Sequence, residues 1–165
     1  MEISVVHSDV TKIETDVLVV NLFKGVSSPG GATGAVDKAL FGLITDLISE
    51  GEVTGTLNEL TLIHTPSSAY ADFAPDRVLI AGLGSDDSFD TDAIRKVSAS
   101  VIRKLRAAGI KHASTIVHGA GIGGLDPRAA SQAVVEGALL GAYRFLKYRT
   151  TDKNRKPDLS KITLV

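Results

Sequence analysis

Four histidines, His7, His64, His112 and His118, are the side chains best able to bind a metal or carry a proton near neutral pH. No two of them stand four residues apart. None belongs to a His-Glu-x-x-His pair that would set two imidazoles on one helix face. The absence of cysteine removes a thiolate zinc site, a disulfide scaffold and a cysteine nucleophile. No Gly-x-Ser-x-Gly elbow occurs. The acidic residues are scattered, without a pair set out for acid and base roles. The sequence therefore offers no self-contained hydrolytic centre, and it assigns no catalytic and no metal-binding residue.

Two glycine-rich stretches are the remaining candidates for ligand chemistry. Gly119-Ala120-Gly121-Ile122-Gly123-Gly124 fits G-x-G-x-x-G and lies between a predicted strand and a predicted helix. Backbone amides so placed can hold a phosphate. A dinucleotide site also needs a further strand with an acidic residue about 20 residues on, and none follows here. Asp126, at the helix start, would repel a phosphate. A tight turn that requires glycine for steric reasons is the favoured reading. The second stretch is Pro29-Gly30-Gly31 with Gly34. It lacks the Lys-Ser/Thr ending of a P-loop, which argues against ATP hydrolysis. Gly30, Gly31, Gly119, Gly121, Gly123 and Gly124 are retained as candidate ligand-binding residues.

The elements that would position these loops alternate along the chain. Strands are predicted over Ile3–His7, Asp16–Phe23, Leu57–Thr65, Arg77–Leu83 and His112–His118. The run Asp16–Phe23 is apolar and rich in β-branched residues, which suits burial on both faces. Val36, Leu40, Leu43, Ile44 and Leu47 form one stripe, which predicts a single helix stopped by Gly51. Asp90–Ala108 is a clear amphipathic helix. Asp126-Pro127 is a cap and first-turn pair that opens a helix to about Tyr148. Residues 1–150 then form one domain, and 151–165 read as a basic linker. Ile162-Thr163-Leu164-Val165 would begin a further segment.

The composition fits a globular α/β domain. Of 165 residues, 44% are hydrophobic and 22% charged, with a formal net charge of −1. So small a charge provides no field favouring nucleic acid or an anionic membrane. Aromatics are 5%, without tryptophan, so stacking platforms for bases are few. No signal peptide or bilayer-spanning run is visible, and a cytoplasmic location is the default expectation.

Ala130, Val134, Gly137, Gly141 and Phe145 lie along one face of the last predicted helix. An interior glycine costs roughly 1 kcal/mol relative to alanine. Two of them imply a close neighbour, inside the domain or on a partner. Gly137, Gly141, Arg144 and Phe145 are the candidate interface residues.

Glu136-Gly137-Ala138-Leu139-Leu140-Gly141-Ala142-Tyr143-Arg144-Phe145, followed by Lys147-Tyr148-Arg149-Thr150, closely resembles the helix that closes the N-terminal domain of leucyl aminopeptidases. Leu79-Ile80-Ala81-Gly82-Leu83-Gly84 with Phe89 and Ala93-Ile94-Arg95, and Asp16-Val17-Leu18-Val19-Val20, resemble the same family. The resemblance implies a three-layer α-β-α fold with a mixed, mostly parallel central sheet, similar to the macro domain. It implies a parent that is a cytoplasmic, hexameric metallo-exopeptidase using two divalent metals (zinc, manganese or magnesium). Those metals belong to a C-terminal peptidase domain, the partner of this one. Its Asn-Thr-Asp-Ala-Glu-Gly-Arg signature is absent here, so no cofactor is expected in this chain.

Macro domains bind ADP-ribose. Ser8-Asp9-Val10-Thr11 resembles their Gly-Asp-Ile-Thr, which would make Asp9 the adenine contact. Their Val-Asn-Ala-Ala-Asn is here Val19-Val20-Asn21-Leu22-Phe23, which keeps only Asn21 as a displaced counterpart.

The leading reading is a non-catalytic N-terminal domain serving packing, oligomerisation or substrate access. The alternative is a stand-alone module binding ADP-ribose or a related nucleotide. Nucleic acid is the third class, supported only by Arg144, Lys147, Arg149, Lys153, Arg155 and Lys156. Any binding through that stretch should be insensitive to sequence and fall steeply with salt. Filter binding at two salt concentrations checks this, and tight, sequence-selective binding at physiological salt would contradict it.

Overall fold

The computed structural model describes residues 1–120, 124–145 and 156–165. Six strands, β1 (Glu2–Val5), β2 (Val17–Phe23), β3 (Leu60–His64), β4 (Arg77–Gly84), β5 (His112–Thr115) and β6 (Lys161–Leu164), form one sheet in the order β1-β6-β5-β2-β4-β3. All neighbours pair in parallel except β3, which runs antiparallel to β4. The sheet is therefore mixed and mostly parallel, as expected. Four helices, α1 (Gly31–Ala39), α2 (Leu43–Ser49), α3 (Thr91–Ala108) and α4 (Pro127–Ala142), cover its faces.

β2 lies between β5 and β4, and its apolar run feeds two cores. Val17, Val19 and Phe23 join Ile94, Val97, Val101 and Leu105 of α3 and Ala130 and Val134 of α4. Leu18, Val20 and Leu22 join Val36 and Leu40 near α1, Ile44 of α2, and Phe73. Successive strand residues point to opposite faces, so a strand apolar at nearly every position must be covered twice.

The stripe that predicts one helix over Val36–Leu47 is broken in two. Phe41 and Gly42 both take positive φ, 58° and 88°. The Asp37 carboxylate accepts from Ile44 N at 2.7 Å, Thr45 N at 3.1 Å and Thr45 Oγ1 at 2.6 Å, and so closes the first turn of α2. Val36, Leu40 and Ile44 still share one core. Hydrophobic spacing reports this shared core, and it carries no trace of the cap across the break.

α3 matches its expectation, with Asp90 Oδ1 accepting from Ala93 N at 2.8 Å and Gly109 ending it at φ 79°. α4 opens as predicted, with Asp126 Oδ2 accepting from Ala129 N at 2.9 Å. It stops earlier than predicted: Tyr143 turns to ψ 134°, and Arg144 pairs with Asp158 at 3.2 Å. The remainder of that prediction, to Tyr148, lies outside the described residues.

The tail is placed differently from its reading as linker and outgoing segment. Lys161–Leu164 is β6, paired on one side with β1 and on the other with β5. Ile162 and Leu164 are buried in the core beneath α3 and α4. An apolar β-prone tetrapeptide completes this sheet.

Gly137 and Gly141 meet α3 within the domain. A Cβ on Gly137 would lie 2.4 Å from Arg95 O, and one on Gly141 would lie 2.7 Å from Ala99 Cα. Arg95 Nε also bonds Glu136 Oε2 at 2.7 Å across the same seam. The glycines are thus spent on helix-to-helix contact, not on an external interface. Replacing Gly141 with Leu gains at most about 1 kcal/mol of helix propensity. The over-packing costs about 1–3 kcal/mol. The melting temperature of Gly141→Leu should fall, and a thermal melt checks it.

Candidate functional site

The parallel strands β2, β5 and β6 end along one edge of the sheet. The chain leaving β2 turns to one side, toward β3 and β4, while the chain leaving β5 turns to the other, toward β6. Such a switch point leaves a crevice outside the carboxyl ends of the strands. Here it measures about 590 Å³ and is lined by Asn21, Gly30, Gly31, Thr33, Val117 and Gly119 among others. Among the described residues no charged side chain belongs to the lining. Ile116 and Val117, which were predicted to continue β5, instead line this crevice.

Asn21, Gly30, Gly31 and Gly119 all line this one crevice. Asn21 is half-buried and its Nδ2 lies 3.2 Å from His118 Nδ1. Burial pushes the His118 pKa down to about 4, so the ring is neutral at pH 7. With His118 Nδ1 as the acceptor, Asn21 Nδ2 donates and its Oδ1 is left free to accept. The Asn21 carbonyl accepts from Thr33 Oγ1 at 2.8 Å, which ties the first turn of α1 to β2. Gly30 sits at the N-cap of α1 with no side-chain cap and no acidic residue in the first turn. The leading N–H groups of a helix have no partner within it.

Other candidates are not in the crevice or have another duty. Asp9 is exposed and does not line it, although Ser8 and Val10 do. Its Oδ1 accepts from Thr11 N at 2.9 Å and Thr11 Oγ1 at 2.8 Å. The bond from the Thr11 backbone, then that from its side chain, holds the carboxyl below its ordinary pKa. Gly119 has φ 79°, and a Cβ there would lie 2.3 Å from Phe89 Cε1, so packing against that ring demands glycine. Gly124 is at φ 65° with open space beside it. Gly121 and Gly123 lie outside the described residues.

The histidines do not converge. His7 and His64 are exposed. His112 Nε2 lies 3.0 Å from Thr163 Oγ1, and burial, reinforced by Lys161, lowers its pKa. Among the described residues no three His, Asp or Glu side chains are grouped to hold a metal ion. Sequence reasoning missed Ser8, Thr33 and Val165 as crevice residues. The alternation that places Asn21 on the face of Val19 and Phe23 was the available signal for its pairing with His118.

A six-stranded mixed sheet in this order, between helix layers and with a crevice at the strand ends, defines the macrodomain class of α/β folds. The Trypanosoma brucei macrodomain in complex with ADP-ribose is similar in fold at TM-score 0.71 and 16% identity, covering 99% of this chain and 63% of that one. A tomato leucine aminopeptidase mutant is similar at TM-score 0.76 and 15% identity, covering 99% of this chain and 32% of that one.

Residues 19–152 match the cytosol aminopeptidase family, N-terminal domain, and the chain belongs to that family. A probable cytosol aminopeptidase of Alkaliphilus oremlandii is 30% identical across 100% of this chain and 32% of its own length. That of Geobacter sulfurreducens is 31% identical across 91% of this chain and 29% of its own length. The chain thus spans about a third of the length of the curated relatives it matches.

The buried His118 makes stability depend on pH. Its folded pKa, about 4, lies below the ordinary 6.5, so the unfolded chain binds the extra proton between these values. The contribution is complete above pH 6.5 and is lost as the pH falls toward 4. A shift of this size corresponds to on the order of 3 kcal/mol. Thermal melts across that window should show a steeper loss for the natural protein than for His118→Gln.

Proposed function

We propose that this chain is a non-catalytic accessory domain that packs on the peptidase portion of a leucyl-type aminopeptidase and helps set its assembly or substrate access. The carrying observation is the outer face of α4. Its small residues are turned inward onto α3, while Leu139, Leu140 and Tyr143 are 49%, 70% and 73% exposed. A cluster of large apolar side chains on one helix end is the kind of surface that a partner covers. The family supplies that partner, because the curated relatives are about three times longer than this segment.

On this reading the parent removes N-terminal residues with two divalent metals held outside this domain, works in the cytoplasm and assembles as a hexamer. A solved neighbour, the bottromycin maturation enzyme BotP in complex with Mn, bears manganese in its own description. No described helix is long and apolar enough to cross a membrane.

The rival reading, a stand-alone ADP-ribose module, has the crevice in its favour and the position of Asp9 against it. Purified chain given manganese or zinc and a chromogenic leucyl substrate should show no metal-dependent turnover. Activity that copurifies with the polypeptide would overturn the assignment. In a full-length aminopeptidase carrying this domain, Leu140→Asp with Tyr143→Asp should weaken assembly on size exclusion. The same pair should leave the melting temperature of the isolated domain nearly unchanged, since exposed substitutions typically stay within about 0.5 kcal/mol.

A further inference from the structure

We infer that the crevice is the seat of a polypeptide segment, the one that follows β6 in a longer parent, and that this segment closes it with apolar side chains. This rests on the accessory-domain reading, in which the parent continues past the position of Val165. The Alkaliphilus oremlandii relative matches this whole chain with 32% of its own length, and the matching family is an N-terminal domain. The greater part of such a parent therefore follows this fold.

The direction of β6 decides where that continuation goes. β6 runs parallel to β1 and β5, so the three strands end on one edge of the sheet. Both neighbours hold it to its last residues. Val6 N donates to Leu164 O at 2.9 Å, and Val165 N donates to Thr115 O at 3.0 Å. A strand pinned on both sides cannot bend away before it leaves the sheet.

The chains leaving those two neighbours form walls on either side. Ser8 and Val10, after β1, and Ile116 and Val117, after β5, line the crevice, and Val165 lines it with them. The residue after Val165 is thus delivered between two walls, into the space outside the strand ends.

The walls suit an apolar chain. Val10, Val26, Ile116, Val117 and Val165 are each half-buried, which leaves part of their surface open to water. Covering apolar surface is favourable in proportion to its area. A tethered segment does so without the full entropy cost of capturing a free molecule, because it is already held at the mouth. At about 590 Å³ the crevice is as large as those that enclose drug-sized molecules, a bulk that a short apolar segment matches. The crevice then acts as a joint between this domain and the portion that comes after it. Leu139, Leu140 and Tyr143 of the α4 surface do not line it, so the two attachments are separable by substitution.

The test compares three proteins. One is the 165-residue chain, and one is a full-length aminopeptidase carrying this domain. The third is the 165-residue chain extended by about ten residues of that parent, enough to reach roughly 33 Å when fully extended. This chain has no cysteine, so Val117→Cys supplies a single thiol in the crevice. Glu52→Cys, at an exposed position just after α2, supplies a control. Thiol reagents act according to exposure, and peptide mass spectrometry reads the modified site. The extension should slow modification at position 117 by at least about tenfold, and the full-length protein should show the same slowing. Position 52 should react equally in all three.

Equal reactivity of position 117 in the short and the extended chain overturns the proposal. That includes protection seen only in the full-length protein, since another part of the parent is then the occupant. Hydrogen exchange over residues 116–120 in the three unsubstituted proteins decides the matter should Val117→Cys not fold. Exchange slowed by the extension supports the proposal, and exchange left unchanged by it overturns the proposal. The accessory-domain reading fails on a different result, an assembly indifferent to the paired substitutions on α4, so the two failures are distinguishable.

Discussion

Everything in this molecule hangs on the double burial of β2. A seven-residue strand with parallel neighbours on both edges and helices on both faces has no side open to water. Its backbone groups are met by β4 and β5, and its side chains are divided between two cores. α3 and α4 must therefore stack on one face, and α1 and α2 on the other. The crevice exists at the end of this strand because it and its neighbour β5 lead the chain in opposite directions. Asn21, near that end, is where the strand stops serving packing alone and presents a polar group.

The close approach of α4 to α3 follows from the same demand. Ala130, Ala133, Val134 and Ala138 must reach the core over β5 and β6 while α3 occupies the adjacent ground. Only residues without a Cβ allow Gly137 and Gly141 to sit against Arg95 and Ala99. The outer face is then free to carry leucine and tyrosine. One helix thus separates intramolecular contact from external contact by side-chain size, with the smallest residues facing inward.

Much of this was legible in the sequence. Apolar periodicity located β2, β4 and α3, and the Asp126-Pro127 pair located the start of α4. The sheet composition followed from the resemblance to the family. What was not legible depended on contacts distant in sequence. The break at Phe41 is held by Asp37 reaching forward to Ile44 and Thr45, which hydrophobic spacing does not report. β6 looked like an outgoing segment, because four residues cannot announce that they fit between β5 and the distant β1. Within the crevice, the glycines were singled out for their loops, and Asn21 from the displaced macrodomain pattern. Asp9 stands outside the lining, its side chain engaged by the turn that follows it. The pairing of Asn21 with His118 joins residues 97 apart and was hidden for that reason.

The position of β6 has a consequence for how the chain acquires its shape. β1 is the outermost strand and its neighbour is β6, some 159 residues later at Ser4 and Thr163. Of these six strands the first made is thus the last to find a place. Until Lys161–Leu164 arrive, β1 has no ladder to join and one edge of β5 stays bare. Closing so long a loop must come late, after the central strands have collapsed, because its entropy is recovered only when both ladders form. During synthesis, the N-terminus of this domain is consequently a waiting strand, and the exposed edge of β5 is the point at which a neighbouring nascent chain could be mistaken for its own.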